Sequence, residues 1–242
     1  MAKDLIEIEK MFIKRILLAI KFRIKKVFKS ILVLYYKNGL RNSKFCIISN
    51  DCWGAELYKL TDREFNTPFI GLMIMGPCYI KMLENLNLYL RLPINFKSKS
   101  KYPAMQKIKS GINFPLGILG DTDIEIHFLH YKSETEARAK WERRVSRIDW
   151  TSLFIKYDCS KDYADEKLVS RFINMKFNNG LIIGKENFGH KEVIQLENCT
   201  SDAVKLFRLC FLKFNPVGWL KGEPNYKNSR EKYIGRLTAK YF

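Results

Sequence analysis

Short continuous apolar runs, each closed by a turn and most followed by a segment of helical period, recur along this chain and restrict its fold. Residues 45–49, 69–75, 116–119, 153–157 and 181–184 are such runs, four to seven residues long. That length and composition suit strands buried on both faces. Residues 124–131 alternate instead, with Ile124, Ile126 and Phe128 on one face and Glu125, His127 and Leu129 on the other.

Helical signals fall between these runs. Asn50 to Gly54 is a polar, glycine-ended loop that opens a helix through Leu60, and residues 79–90 carry Leu83, Leu86 and Leu90 ahead of Pro93. Ser133-Glu134-Thr135-Glu136 is a capping box, in which hydroxyl and carboxylate satisfy each other's free backbone amides. It predicts a helix to about Arg147 with Ala137, Trp141 and Val145 inward. Asp162 and Ser201 are read as caps of two further helices, the first carrying Leu168, Val169 and Phe172 and the second running to about Phe214. Residues 97–111 are basic, polar and aperiodic, and read as a loop. The alternation predicts an α/β layered fold with a mainly parallel, Rossmann-like sheet.

Charge divides the chain in three. Lys10 to Arg41 holds ten Lys or Arg and no acid, and Lys205 to Phe242 holds nine against Glu223 and Glu231. The stretch between is close to balanced, with 23 basic and 20 acidic residues, so the overall net charge of +18 belongs to the ends. The expected organisation is a basic amphipathic helix over 1–43, an α/β domain over 44–220 and a basic tail over 221–242. In the first segment Ile13, Ile16, Leu17, Ile20, Ile24, Val27, Ile31 and Leu34 recur in steps of mostly three and four, one stripe of a helix. Its longest uncharged stretch, residues 30–36, falls far short of the roughly 20 apolar residues that span a bilayer. The opening acids Asp4, Glu7 and Glu9 suit no secretory signal. A helix of this kind lies in the headgroup plane of an anionic membrane, which places the protein peripherally on the cytoplasmic face of a cell membrane; the alternative is a helix packed on the domain itself with its lysines facing water. Nucleic acid is the weaker expectation, because no recognition module is present and the basic residues alternate with aliphatics rather than with stacking aromatics.

With 47% hydrophobic residues the chain can bury a core, which excludes disorder for its bulk. The six cysteines show no CxxC and no metal spacing. They read as thiols of a reducing compartment, several of them inside apolar runs.

Ligands of open α/β sheets bind beyond the carboxyl ends of the strands. That rule selects four groups: Ser49 to Gly54, where Asp51 would be catalytic and Asn50 and Trp53 would bind substrate, Asp121 to Asp123, His127 with His130, and Asp158. Asp121-Thr122-Asp123 has the form of an Asp-x-Asp pair that holds magnesium or manganese against a nucleotide-sugar diphosphate, and equally the form of an ordinary turn. Glu125 and His127, two residues apart on one face, read as a general base or as a solvated strand face. Lys140, Arg143, Arg144 and Arg147 recur along one helix and could grip a diphosphate, although a run of this kind is more often a solvated face. Cys52, beside Asp51, shows nothing that would lower its pKa and reads as a buried or loop cysteine.

Four strings carry a resemblance: Ile48-Ser49-Asn50-Asp51-Cys52-Trp53-Gly54, Asn66-Thr67-Pro68-Phe69-Ile70-Gly71-Leu72, Lys101-Tyr102-Pro103, and the stretch from Asp123 through His127 and His130 to Glu134. Lys140-Trp141-Glu142-Arg143-Arg144 and Ile148-Asp149-Trp150 extend it. In these strings the chain resembles a family of bacterial exopolysaccharide-biosynthesis proteins built on a domain of unknown function, over about residues 45–184. The resemblance implies an α/β fold and a place in capsule or exopolysaccharide assembly, without fixing a reaction. The combined expectation is a peripheral glycosyltransferase. It would take a nucleotide sugar, with magnesium or manganese, and a lipid-linked or polysaccharide acceptor. Asp51, Asp121 and Asp123 would meet the donor phosphates or their cation, Glu125, His127 or His130 would supply the base, and Arg143 and Arg144 the diphosphate grip. An O-acyltransferase on the same polymer and a non-catalytic assembly factor are the alternatives.

Overall fold

The computed structural model describes residues 2–161, 163–199 and 202–242. The order of elements begins α1 (Ala2–Gly39), β1 (Cys46–Ser49), α2 (Trp53–Leu60), α3 (Gly76–Glu84), α4 (Leu86–Leu90), β2 (Ile94–Phe96), α5 (Pro103–Gly111), β3 (Leu116–Leu119) and β4 (Glu125–His127). It continues α6 (Glu134–Val145), β5 (Leu153–Asp158), α7 (Glu166–Asn174), β6 (Gly180–Gly184), β7 (Val193–Gln195), α8 (Ala203–Lys213), α9 (Pro216–Trp219) and α10 (Ser229–Tyr241).

β1, β5, β6 and β7 form an all-parallel sheet in that spatial order, with Ile48 opposite Ile155 and Tyr157 opposite Ile182. β2, β3 and β4 form a separate antiparallel sheet. The protein is therefore a mixed α/β fold with a mainly parallel sheet and a leading helix, as the alternation predicts. Period-2 geometry sends neighbouring side chains of each parallel strand to opposite faces. Cys46, Ile48, Ile155, Tyr157 and Ile182 join one buried core, which takes in α3, α7, Trp141 of α6 and the antiparallel sheet. Ile47, Phe154, Leu181 and Ile183 join the other, beneath α1, α2, α8, α9 and α10. Burial on both faces explains why these strands read as continuous apolar runs.

Four expectations need correction. Residues 69–75 are buried but form no strand beyond one bridge, Met73 with His127, because Gly71 at φ +71° turns the chain out of the extended region. Residues 97–111 are not all loop: α5 starts at Pro103, which fits the first helical turn, where its missing N–H costs nothing. The carboxyl-terminal 221–242 is no tail. Its α10 packs on α8 and α1, and Thr238 and Phe242 are buried. The caps of α7 and α8 are Asp165, accepting from the Leu168 amide, and Asp202, accepting from Val204 and Lys205. The expected caps, Asp162 and Ser201, lie outside the described residues. The Ser133 cap is as read, its hydroxyl accepting from the Glu136 amide.

The second half of α1 is held to the domain. Leu32, Tyr36 and Leu40 are buried, the Tyr36 and Thr238 hydroxyls lie 2.9 Å apart, and Phe28 stacks on Tyr241. The eight stripe residues from Ile13 to Leu34 are all exposed. No helix among the described residues is long and apolar enough to cross a membrane.

Candidate functional site

In β4 the apolar positions Ile124, Ile126 and Phe128 enter the core, and the alternation turns Glu125 and His127 the other way. That face is not solvated: both side chains have no exposed surface. The segment between β2 and α5 covers them. Ser100 Oγ donates to Glu125 Oε2 at 2.6 Å and lies 3.2 Å from His127 Nε2. The Lys101 amide donates to Glu125 Oε1 at 2.8 Å, and Lys97 Nζ is 2.6 Å from the same oxygen. Tyr102 N–H donates to Ser100 Oγ at 3.1 Å, which fixes the serine in the turn that opens α5.

On its far side the imidazole Nδ1 lies 3.2 Å from the Met73 carbonyl oxygen. A carbonyl oxygen only accepts, so this contact assigns the Nδ1 proton and turns Nε2 toward Ser100 and Glu125. Nε2 is 3.4 Å from Glu125 Oε2. It can therefore accept from a hydroxyl when neutral and donate to the carboxylate when charged. Burial pushes the Glu125 carboxyl up, but hydrogen bonds from His127, Lys97, Ser100 and the Lys101 amide outweigh it and hold the group at about 2. The arrangement is a buried acid–base pair with a hydroxyl already in reach and the part-exposed Lys97 and Lys101 beside it.

A second buried network sits at the carboxyl end of the parallel sheet. Lys156 Nζ bonds both oxygens of Asp51, at 2.9 and 3.0 Å, and Lys161 Nζ is 3.0 Å from Asp158 Oδ2. Burial opposes ionisation of Asp51, but the Lys156 and Lys161 ammoniums outweigh it and hold the carboxyl well below its usual range. Asn50 clamps the ends of β1 and β5, donating to the Asp158 carbonyl at 3.0 Å and accepting from the Asp158 amide at 2.8 Å. Trp53 is fully buried against Phe207 and Trp219. Asn50 and Trp53 are thus structural rather than substrate-binding.

Beside this network a cleft of about 250 Å³ is lined by Asp51, Cys52, Met73, His130 and Asp202 among others. Burial and the neighbouring Asp51 push the Cys52 thiol up to about 12, so it is no thiolate at neutral pH. The segment holding Met73 ties the two regions together. Ile74 N–H donates to the Asn50 carbonyl at 2.9 Å, while Met73 and His127 exchange backbone hydrogen bonds of 2.8 and 2.9 Å.

A family model described as a domain of unknown function, DUF1919, matches residues 23–208. The chain belongs to the DUF1919 family. The match is wider than the expected 45–184, taking in the half of α1 that docks on the domain and most of α8. A protein of Haemophilus influenzae (strain ATCC 51907 / DSM 11121 / KW20 / Rd), described as an uncharacterized protein, is 34% identical over 152 residues, 63% of this chain. The matched stretch spans 65% of that relative's length. Ser100, Glu125, His127 and the Asp51 network all fall within the DUF1919 match.

The structure brings Glu125 and His127 together and places Asp51 and His130 on one cleft. It does not gather the remaining expected site residues. Arg144 is buried, donates to the Tyr131 hydroxyl at 2.7 Å and lies over Phe65, so its guanidinium is committed within the fold. Lys140 pairs with Glu136 at 2.5 Å, and Arg143 is exposed elsewhere on α6. Asp121 is exposed, and the Asp123 carboxylate is held by Lys81 at 2.5 Å and Lys101 at 3.0 Å. Among the described residues no group of three or more His, Cys, Asp or Glu gathers where it could hold a metal ion. Both Asp123 oxygens are thus already engaged by lysines, which leaves Asp121 alone to offer a hard divalent cation an oxygen.

Sequence reasoning missed Ser100, Lys97, Lys101 and Lys156. The first three lie in a polar stretch with no period, where nothing local points to a buried partner 25 residues away. Lys156 did leave a signal: it is a lysine in the middle of a buried apolar strand, which demands a buried counter-charge.

Proposed function

We propose that this protein is a group-transfer enzyme of bacterial surface-polysaccharide assembly, a glycosyltransferase whose base is the Glu125–His127 pair. The observation that carries it is the hydroxyl held between His127 Nε2 and Glu125 Oε2. A site that already positions one hydroxyl on a buried base can deprotonate an acceptor hydroxyl that takes the place of Ser100 Oγ. The proton goes to Nε2, and Glu125 stabilises the resulting imidazolium. Lys97, Lys101 and Lys81 pair with Glu125 and Asp123 but keep more than a third of their side-chain surface exposed, and they are the cations nearest the base that the phosphates of a nucleotide-sugar donor would meet. The polysaccharide setting rests on the resemblance of the strings around Asp51 and His127.

The same contact supports a second reading. Ser100 itself could be the nucleophile of an O-acyl transfer, with His127 as its base. The two readings separate on one set of proteins. The chain and its Ser100→Ala, Glu125→Gln and His127→Gln variants are incubated with UDP-, GDP- and CMP-sugars and with acetyl-CoA, with and without manganese. Glycosyl transfer expects stabilisation by one nucleotide sugar of a few degrees, roughly 1 kcal/mol of linkage or more. Its turnover is lost in Glu125→Gln and His127→Gln and kept in Ser100→Ala. Acyl transfer expects a shift with acetyl-CoA and an acyl adduct on Ser100, found by mass spectrometry and absent from Ser100→Ala. No shift, and no effect of any variant on polymer production in cells, would leave a non-catalytic assembly factor.

A further inference from the structure

α1 leaves an apolar stripe uncovered. Ile13, Ile16, Ile20, Ile24, Ile31 and Leu34 follow one another at helical steps of three, four and seven, and each is between 44% and 59% exposed. Single exposed aliphatics are ordinary; a line of them about 30 Å long on one helix marks a surface that something covers. The fold does not cover it, because α1 docks through other positions, with Phe28 on Tyr241, Tyr36 on Thr238, and Leu32 and Leu40 buried.

Charge names the occupant. Residues 10–41 carry ten Lys or Arg and no Asp or Glu. A second copy lying along the same stretch would set ten cations against ten with no carboxylate between them, since the acids of α1 are confined to Asp4, Glu7 and Glu9 ahead of it. An anionic bilayer supplies the opposite charge and an apolar layer at once. A helix too charged to span lies in the headgroup plane, its aliphatics in the acyl boundary and its lysines among the phosphates.

We infer that α1 is a membrane-docking helix that seats the stripe from Ile13 to Leu34 in the surface of an anionic phospholipid bilayer, holding the α/β domain against it. This inference stands apart from the transfer chemistry, since it uses none of the site residues.

The test is vesicle co-sedimentation of the full chain. Vesicles rich in phosphatidylglycerol are compared with vesicles of phosphatidylcholine alone, at low and high salt. The expected result is binding to the anionic vesicles, weakened by salt, at least tenfold weaker on phosphatidylcholine. Ile16→Glu with Ile20→Glu and Ile24→Glu should lower the anionic partition at least tenfold, while the three leucine replacements keep it. Circular dichroism and the thermal midpoint report whether the domain stays folded, and the leucine variant keeps the comparison decisive if the glutamates perturb α1. Equal partition onto both vesicle types, or glutamate and leucine variants that bind alike, would overturn the inference. So would a dimer by light scattering that the glutamates dissociate, which would make a second copy the occupant.

Discussion

Lys156 of β5 reaches Asp51, two residues beyond the end of the neighbouring strand β1, with Nζ 2.9 and 3.0 Å from the two carboxylate oxygens and both side chains buried. Charges shut off from water in this way depend on each other. Lys156→Met leaves the carboxylates of Asp51 and Asp158 with Lys161 alone nearby, and should cost about 3–5 kcal/mol of stability. Pairing it with Asp51→Asn should recover part of that loss. Lys37→Met, which removes the partner of Asp62 from a pair exposed on both sides, should change stability by less than about 1 kcal/mol. Urea denaturation of the four proteins measures all of this.

The depressed carboxyl of Glu125 sets a pH window. Its ordinary value is 4.5 and the folded site holds it at about 2. Over that interval the unfolded chain binds a proton that the folded chain refuses. The stabilisation is therefore complete above about pH 4.5 and is lost as pH falls toward 2. Glu125→Gln should flatten that part of the stability–pH curve, measured by denaturation at a series of pH values.

Arg144 is committed within the fold, and its loss should register there. Arg144→Met removes the donor to the buried Tyr131 hydroxyl and should cost on the order of 1–3 kcal/mol. Binding of any nucleotide sugar should change no more than this loss of folded protein explains. Thermal midpoint and ligand-induced shift, read from the same melts, separate the two effects.

Gly235 is there to admit Tyr226. A Cβ at this position would overlap the tyrosine hydroxyl, which donates to the Phe211 carbonyl at 2.8 Å. Gly235→Ala should destabilise by roughly 1–3 kcal/mol. Tyr226→Leu, made together with it, should cost less than the sum of the two single changes, a coupling that a double-mutant cycle reports.

The layers of this fold could be read from its residues because a strand buried on both faces leaves an apolar run, as β1 and β6 do and as β5 does on either side of Lys156. Residues 69–75 carry the same signal for a different reason. They are wedged between two sheets, and burial alone does not say whether the backbone is extended. α5 escaped notice because its lysines mask the period and only Pro103 marks its start. For the site, Glu125 and His127 were recoverable from alternation within β4. Ser100 was not, since its place is fixed by tertiary contact across 25 residues. The misplaced caps of α7 and α8 reflect how little separates one acidic or hydroxyl residue from another one to three positions along.

Met73 stands in two places at once. Its carbonyl fixes the His127 ring, and the residue itself lines the cleft beside Asp51 and His130. The wall between cleft and base is therefore a single stretch of backbone. A molecule lodged in the cleft would press on the same backbone that orients the imidazole.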